Sequence, residues 1–278
     1  MNKLKQHIIS AITEKDNTAI LLFFRKAIYI VCFIEILFLI PDIKLLLSSS
    51  NLFPKLGVEP FPYMGYIVGI LRGNQYLWPI FIGVLLIGIS TPWIKKFEKF
   101  GAFLVWFFHI NIYYSIHITE TSGHQLMNVF LFFMMFVNTN ESKRTVKTTS
   151  INNGVFWLLR IQVILSYFVA CLYKLQSEYW LDGSAIEKVA NTQLFGYELT
   201  ASLPSGLLIF LTYLSFGYQL LFPLLVWFKP IKKWFLLLGI GMHLAISFTL
   251  GLTEFGIIMI VAYVLFLDKP LFYSSKLN

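Results

Sequence analysis

Long apolar runs alternate with short polar ones along most of the chain. They fall at roughly 22–40, 76–92, 101–118, 124–138, 155–174, 206–228, 234–252 and 255–267. A helix needs about 20 apolar residues to cross the hydrocarbon core of a bilayer, and fewer where the bilayer thins. The runs at 124–138 and 255–267 are short for this purpose. The pattern predicts an all-α fold: a polytopic membrane helical bundle of about eight transmembrane helices. No internal repeat, low-complexity tract or boundary breaks the pattern, so residues 1–278 are expected to form one domain.

The polar connections fix an expected topology. With Met1 inside, the inner segments hold sixteen of the 22 Lys and Arg residues, in clusters such as Lys95-Lys96-Lys99, Lys143-Arg144-Lys147 and Lys229-Lys232-Lys233. The outer segments hold Lys44, Lys55, Arg72 and Lys188. Basic residues concentrate on the cytoplasmic side of membrane proteins, so an even number of spans with both termini in the cytoplasm is expected, in a bacterial inner (plasma) membrane. Two outer connections are long. Residues 41–75 include an apolar stretch from Phe61 to Leu71 suited to the membrane interface, and residues 175–205 follow Lys174.

Composition strengthens this reading. Hydrophobic residues make up 57% and charged residues 13% of the 278, against about 25% charged in an ordinary soluble domain. Phe occurs 28 times, Tyr 14 and Trp 7, and mean hydropathy is +0.71. The net charge of +8 is dispersed through short loops, which argues against a nucleic-acid partner and leaves membrane lipid as the expected surroundings. The mixed, polar first twenty residues do not read as a cleavable signal. Cys32 and Cys171 lie at different expected depths in apolar runs, so they read as small buried hydrophobes rather than a disulfide.

Charged and titratable groups inside spans need a reason. Arg160 and Lys174 are fourteen residues apart on one span and return to within about 40° of one face, with Tyr167 and Cys171 near it. Lys174 either serves a site or snorkels to the interface. Arg160 is expected to pair with Glu35 or with backbone carbonyls. His109, His117, His124 and His243 sit in or beside spans, where histidine commonly hydrogen-bonds between helices. No HxxxH or HExxH spacing is present, so no metal is expected. Phosphate-loop, GxSxG and GxGxxG signatures are also missing.

The run Trp157-Leu-Leu-Arg160-Ile-Gln162, continuing through Tyr167-Phe168-Val-Ala170 and Lys174-Leu175 to Trp180 and Gly183, resembles the core motif of the HTTM family. That family includes the membrane domain of vitamin K-dependent γ-glutamyl carboxylases and many bacterial relatives. Thr121-Ser-Gly-His124-Gln-Leu-Met-Asn-Val-Phe-Leu resembles the carboxylase segment that carries an active-site histidine at the start of a span, and Gln219–Pro223 and His243–Phe266 also look like the family. The resemblance implies that Lys174 is a catalytic base toward a reduced quinone of vitamin K or menaquinol type, with His124 polarising a carboxylate or carbanion. It makes Tyr167, Trp180, Arg160 and His243 the residues expected around the quinol. A base must be neutral, and apolar surroundings favour the neutral amine. His124, Lys174 and Trp180 are expected around one pocket.

The chain departs from the animal carboxylases at Tyr173, where they have a second lysine, and it ends eight residues after Pro270. A short branch of the family, of the sporulation-delaying-protein type, matures a secreted peptide toxin. Three readings therefore stand: a quinol-dependent enzyme acting on a peptide or small substrate at the outer face; a non-catalytic maturation or immunity partner of a secreted peptide; and a lipid- or quinone-binding protein.

Overall fold

Each apolar run holds a helix among its described residues. The computed structural model describes residues 16–42, 74, 76–94, 96–115, 121–139, 145–192 and 202–268, and every regular element among them is helical. The chain divides into two compact units, the described residues up to Phe156 and then Trp157–Leu267. The Phe61–Leu71 stretch, His117 and both termini lie outside the described residues.

The first unit contains α1 (Thr18–Leu39), α2 (Leu77–Ile94), α3 (Glu98–Ser115), α4 (Ser122–Met134) and the start of α5 (Val146–Leu175). Small residues hold α2 against α3. A Cβ on Gly101 would lie 2.2 Å from Thr91 Oγ1, and one on Gly88 would lie 3.1 Å from the Gly101 carbonyl oxygen. Glycine and threonine at such a seam let two apolar helices approach closely, as in membrane helix pairs. Phe97, in the link between them, adopts a left-handed backbone with φ of 54° and leaves its ring exposed.

Helix α5 begins well before the apolar run at 155–174. Thr145 and Thr148 cap it reciprocally, Thr145 N–H donating to Thr148 Oγ1 at 2.7 Å and Thr148 N–H to Thr145 Oγ1 at 3.2 Å. The polar first turns then bury Asn152 and Asn153. The Asn152 amide donates to Thr18 Oγ1 and to the Asn138 carbonyl and accepts from the Asn138 N–H, while Asn153 accepts from the backbone and side-chain amides of Asn17.

Arg25 is the largest fully buried side chain of this unit. Its guanidinium donates to the Met134 and Val137 carbonyls at 2.7 and 2.9 Å, where α4 ends, and pairs with Glu98 at 3.0 Å. Thr139 Oγ1 donates to the same Glu98 oxygen. Arg25 therefore ties α1 to the orphan carbonyls of one helix end and to the first turn of α3. Sequence topology counts it as an inner-side cation, but it is an internal clamp.

The second unit comprises the rest of α5, the short α6 (Glu178–Leu181) and α7 (Ala185–Ala190), α8 (Ser205–Leu225), α9 (Lys229–Thr249) and α10 (Thr253–Ala262), which runs into a 3₁₀ turn at Tyr263–Phe266. The α6–α7 segment folds onto α8: Tyr213 Oη donates to the Leu181 carbonyl and Ile186 N–H to Thr212 Oγ1. Gly183, at φ of 84°, makes the turn between them and lies against the Tyr213 ring, where no side chain would fit.

Among the described residues four helices, α2, α5, α8 and α9, are long and apolar enough to cross a membrane. Their outward faces are apolar, as with Leu158, Ile161, Leu165, Phe168 and Leu172 on α5. The other four expected spans also form helices but do not reach that standard. Arg25, Lys26 and Glu35 lower the hydropathy of α1, α3 carries Glu98 and Lys99, and α4 and α10 have 13 and 10 residues.

Removing one partner of a buried ion pair leaves the other charge stranded. Arg25→Met is expected to cost about 3–5 kcal/mol in thermal unfolding of the detergent-solubilised protein, and Lys26→Met less than about 1 kcal/mol. Equal losses for the two variants would remove the clamp role from Arg25.

Candidate functional site

Helix α5 presents one buried stripe in the second unit, Leu159, Val163, Tyr167 and Cys171, spaced three to four residues apart. Lys174 continues it by one turn, is half-buried, and lies next to the end of the helix at Leu175. The chain then turns through Gln176 and Ser177 into α6, which carries Trp180 back over the amine. Lys174 Nζ sits 3.7 Å from the centroid of the Trp180 ring. This is a close cation–π contact, worth about 0.5–2 kcal/mol for an ammonium group depending on its desolvation.

Two turns below Lys174, Tyr167 begins a row of buried polar groups. Its hydroxyl is 2.7 Å from His243 Nε2 and 2.5 Å from the Tyr263 hydroxyl, which is 2.9 Å from the Tyr218 hydroxyl. The row draws on α5, α8, α9 and the 3₁₀ turn. Phe222 and Phe235 wall it with stacked and tilted rings. Gly239 makes the space: a Cβ there would stand 2.0 Å from the Tyr218 hydroxyl and 2.3 Å from that of Tyr263. Gly256 does the same for α10, since its Cβ would meet Ser247 Oγ at 2.0 Å and the His243 carbonyl oxygen at 2.6 Å. His243 Nδ1 is buried and has no hydrogen-bond partner among the described residues.

Arg160 lies toward the other end of α5. Its Nε donates to the Leu265 carbonyl at 2.7 Å, and its guanidinium lies 5.2–5.5 Å from the rings of Trp157, Trp227 and Phe266. A backbone carbonyl was one of the two partners expected for it. Glu35, the other, engages His109 and Tyr113 in the first unit.

His124 also belongs to the first unit. It is the third residue of α4, and its Nδ1 accepts the Thr121 N–H at 3.0 Å, closing the helix N-terminus. Its ring stacks on Tyr113 with centroids 3.8 Å apart. One nitrogen of His124 is thus committed to capping, which leaves Nε2 for any chemistry. Of the expected site residues, Lys174 and Trp180 meet each other, and Tyr167 meets His243.

Residues 122–270 match the HTTM domain, which is more than half of the chain. The chain belongs to the HTTM family. Among curated proteins it is 28% identical over 181 residues to the sporulation-delaying protein SdpB of Bacillus subtilis (strain 168), covering 58% of this chain and 56% of SdpB. It is 30% identical over 138 residues to the uncharacterized protein YitO of the same organism, covering 46% of this chain and 43% of YitO. The chain therefore spans about half the length of the curated relatives it matches. No solved structure matches it. The HTTM match runs from α4 through the 3₁₀ turn, so it takes in His124, Arg160, the whole Tyr167 row, Lys174 and Trp180. With its four long apolar helices, the protein is an HTTM membrane protein.

Sequence reasoning singled out Tyr167 and His243 but not Tyr218, Tyr263 or Gly239. The available signal was the position of Gly239 four residues before His243, one turn back on the same face of α9. Gly239→Ala is expected to destabilise the purified protein by at least about 1–3 kcal/mol through overpacking. Gly241→Ala, whose Cβ meets nothing within 4 Å, should be neutral or stabilising. Matched melting temperatures for the two variants would show that the row tolerates expansion at Gly239.

Proposed function

We propose that this HTTM protein is a quinol-dependent membrane enzyme that modifies a peptide or small substrate near the end of α5, with Lys174 as its base. The observation that carries the reading is the position of Lys174 on the Trp180 ring, one turn beyond Cys171 on the buried stripe of α5. The residues fit a reduced quinone in chemical kind: an indole face to stack on a ring, an amine to meet a phenolic hydroxyl, and apolar surroundings reachable from the bilayer. When bound, a reduced quinone supplies two electrons and two weakly acidic hydroxyl protons.

The chain's own groups then have defined tasks. A base acts from its neutral form, and Lys174 meets the substrate from a fixed place on the Trp180 ring. Trp180 therefore positions the amine. Tyr167 and His243 form a polar floor below it, and His124 is the second candidate group for chemistry.

A second reading is favoured by one observation and one similarity. An ammonium docked on indole is also suited to hold a peptide carboxylate, and SdpB is a sporulation-delaying protein. In this reading the protein binds a secreted peptide as a maturation or immunity partner, with no turnover at Lys174.

One substitution separates the readings. Lys174→Arg keeps the charge and the contact with Trp180 but cannot be deprotonated. The purified protein, supplied with reduced menaquinone, is expected to consume O₂, and Lys174→Arg is expected to lower that rate by about 100-fold or more. Undiminished O₂ uptake in Lys174→Arg would exclude Lys174 as the base, and no O₂ uptake by the wild-type chain would leave the peptide-binding reading.

We further propose eight spans in the bacterial inner membrane with both termini in the cytoplasm, on the bias of basic residues in the connections. A cysteine introduced at Ser184 should react with a membrane-impermeant thiol reagent in intact cells, and one at Ser142 should not. The reverse labelling pattern would invert the topology.

A further inference from the structure

The first unit holds a second constellation that the reading above does not use. Cys32 and Glu35 lie three residues apart on one face of α1, and His109 reaches them from α3. Their ligating atoms, a sulfur, a carboxylate oxygen and an imidazole nitrogen, all lie within 4.8 Å of one another. Cys32 is 0%, His109 1% and Glu35 9% exposed. We propose that Cys32, Glu35 and His109 form a binding site for a divalent transition-metal ion of zinc type.

Three physical points support the assignment. The first is proton accounting. His109 Nδ1 lies 2.6 Å from Asn128 Oδ1, so it carries the proton that this oxygen accepts. Nε2 then faces Glu35 Oε2, 3.3 Å away. Either a proton or a metal ion can sit between those two atoms, and the Cys32 sulfur beside them supplies a third ligand that only a metal ion would use. The Asn128 contact is also what a metal-bound histidine requires from its other nitrogen, since it fixes ring orientation and tautomer.

The second point is geometry. Zinc bonds of about 2.0–2.3 Å in a tetrahedron place neighbouring ligand atoms about 3.3–3.8 Å apart. The separation of His109 Nε2 from Glu35 Oε2 falls on that edge, and the Cys32 sulfur lies within 4.8 Å of both atoms. Glu35 Oε1 is buried and has no hydrogen-bond partner among the described residues, so the carboxylate has an oxygen to spare.

The third point is charge. A thiolate and a carboxylate together balance a divalent ion, which makes the loaded site neutral. Neutrality matters in an apolar interior, where an unbalanced ion is strongly penalised. The ligand types, one soft sulfur, one imidazole and one carboxylate, suit zinc or a neighbouring ion rather than calcium or magnesium. Three protein ligands leave the fourth position open, as in sites that bind water or substrate. Spacing along the sequence does not disclose this set, because its members come from two helices.

Cobalt(II) is the probe of choice, because a thiolate–cobalt bond gives a charge-transfer band that an oxygen or nitrogen ligand does not. The full chain, purified in detergent and stripped with chelator, is expected to take up one equivalent of cobalt and develop this band. With only two cysteines, the sulfur can be assigned. Cys171→Ser should keep the band and Cys32→Ser should lose it. Asn128→Ala, which leaves all three ligands in place, should weaken cobalt binding by about 10–100-fold, so the proposal stays testable if Cys32→Ser misfolds. Lack of a band in the wild-type chain, a band that follows Cys171, or unchanged affinity in Asn128→Ala would overturn the site. The first of these outcomes would leave the cluster a hydrogen-bonded contact between His109 and Glu35 with no ion.

Discussion

A polar group taken out of water must find its partners inside the protein, and this constraint orders both units. Arg25 is the clearest case. Its guanidinium is fully buried, and its neighbours are two carbonyls from the frayed end of α4 and the carboxylate of Glu98. The unsatisfied end of one helix becomes the solvation shell of a cation on another. Asn152 and Asn153 apply the same rule with amides, tying the start of α1 to the link after α4. Arg160 repeats it in the second unit with the Leu265 carbonyl and three aromatic rings.

These pairings explain what the sequence made legible. Helix positions follow from apolar runs, and all eight expected runs are helical. The stripe on α5 was readable because its members share one helix, where spacing converts directly into direction. The start of α5 was not, because a polar segment from Val146 to Gly154 does not look like a span. Only its caps and its buried asparagines show that it is one helix with the rest. The number of crossing helices follows less directly. Among the described residues four are long and apolar enough, and Arg25, Lys26 and Glu35 keep α1 below that standard, with Arg25 and Glu35 facing partners inside the unit.

The two buried clusters lay beyond sequence reach for a further reason. Tyr218, Tyr263, Tyr167 and His243 come from four separate segments, and Cys32, Glu35 and His109 from two. Nothing in their linear spacing says that they meet. Glycine leaves a faint trace, because Gly239 and Gly256 are needed only where something must come close. The HTTM resemblance already put Trp180 beside Lys174, but the direct seating of the amine on its ring was not legible, since it depends on how the chain turns through Gln176 and Ser177.

The hydroxyl row from Tyr218 to His243 has one more property. It admits two self-consistent arrangements of hydrogens. In one, every hydroxyl donates toward the imidazole and Nδ1 holds the ring proton. In the other, every hydroxyl donates away from it and Nδ1 is bare. Passing from one to the other turns all three hydroxyls and moves the ring proton of His243 from one nitrogen to the other, with no net gain or loss of a proton. The row therefore reverses only as a unit, in the tight space that Gly239 leaves for its hydroxyls.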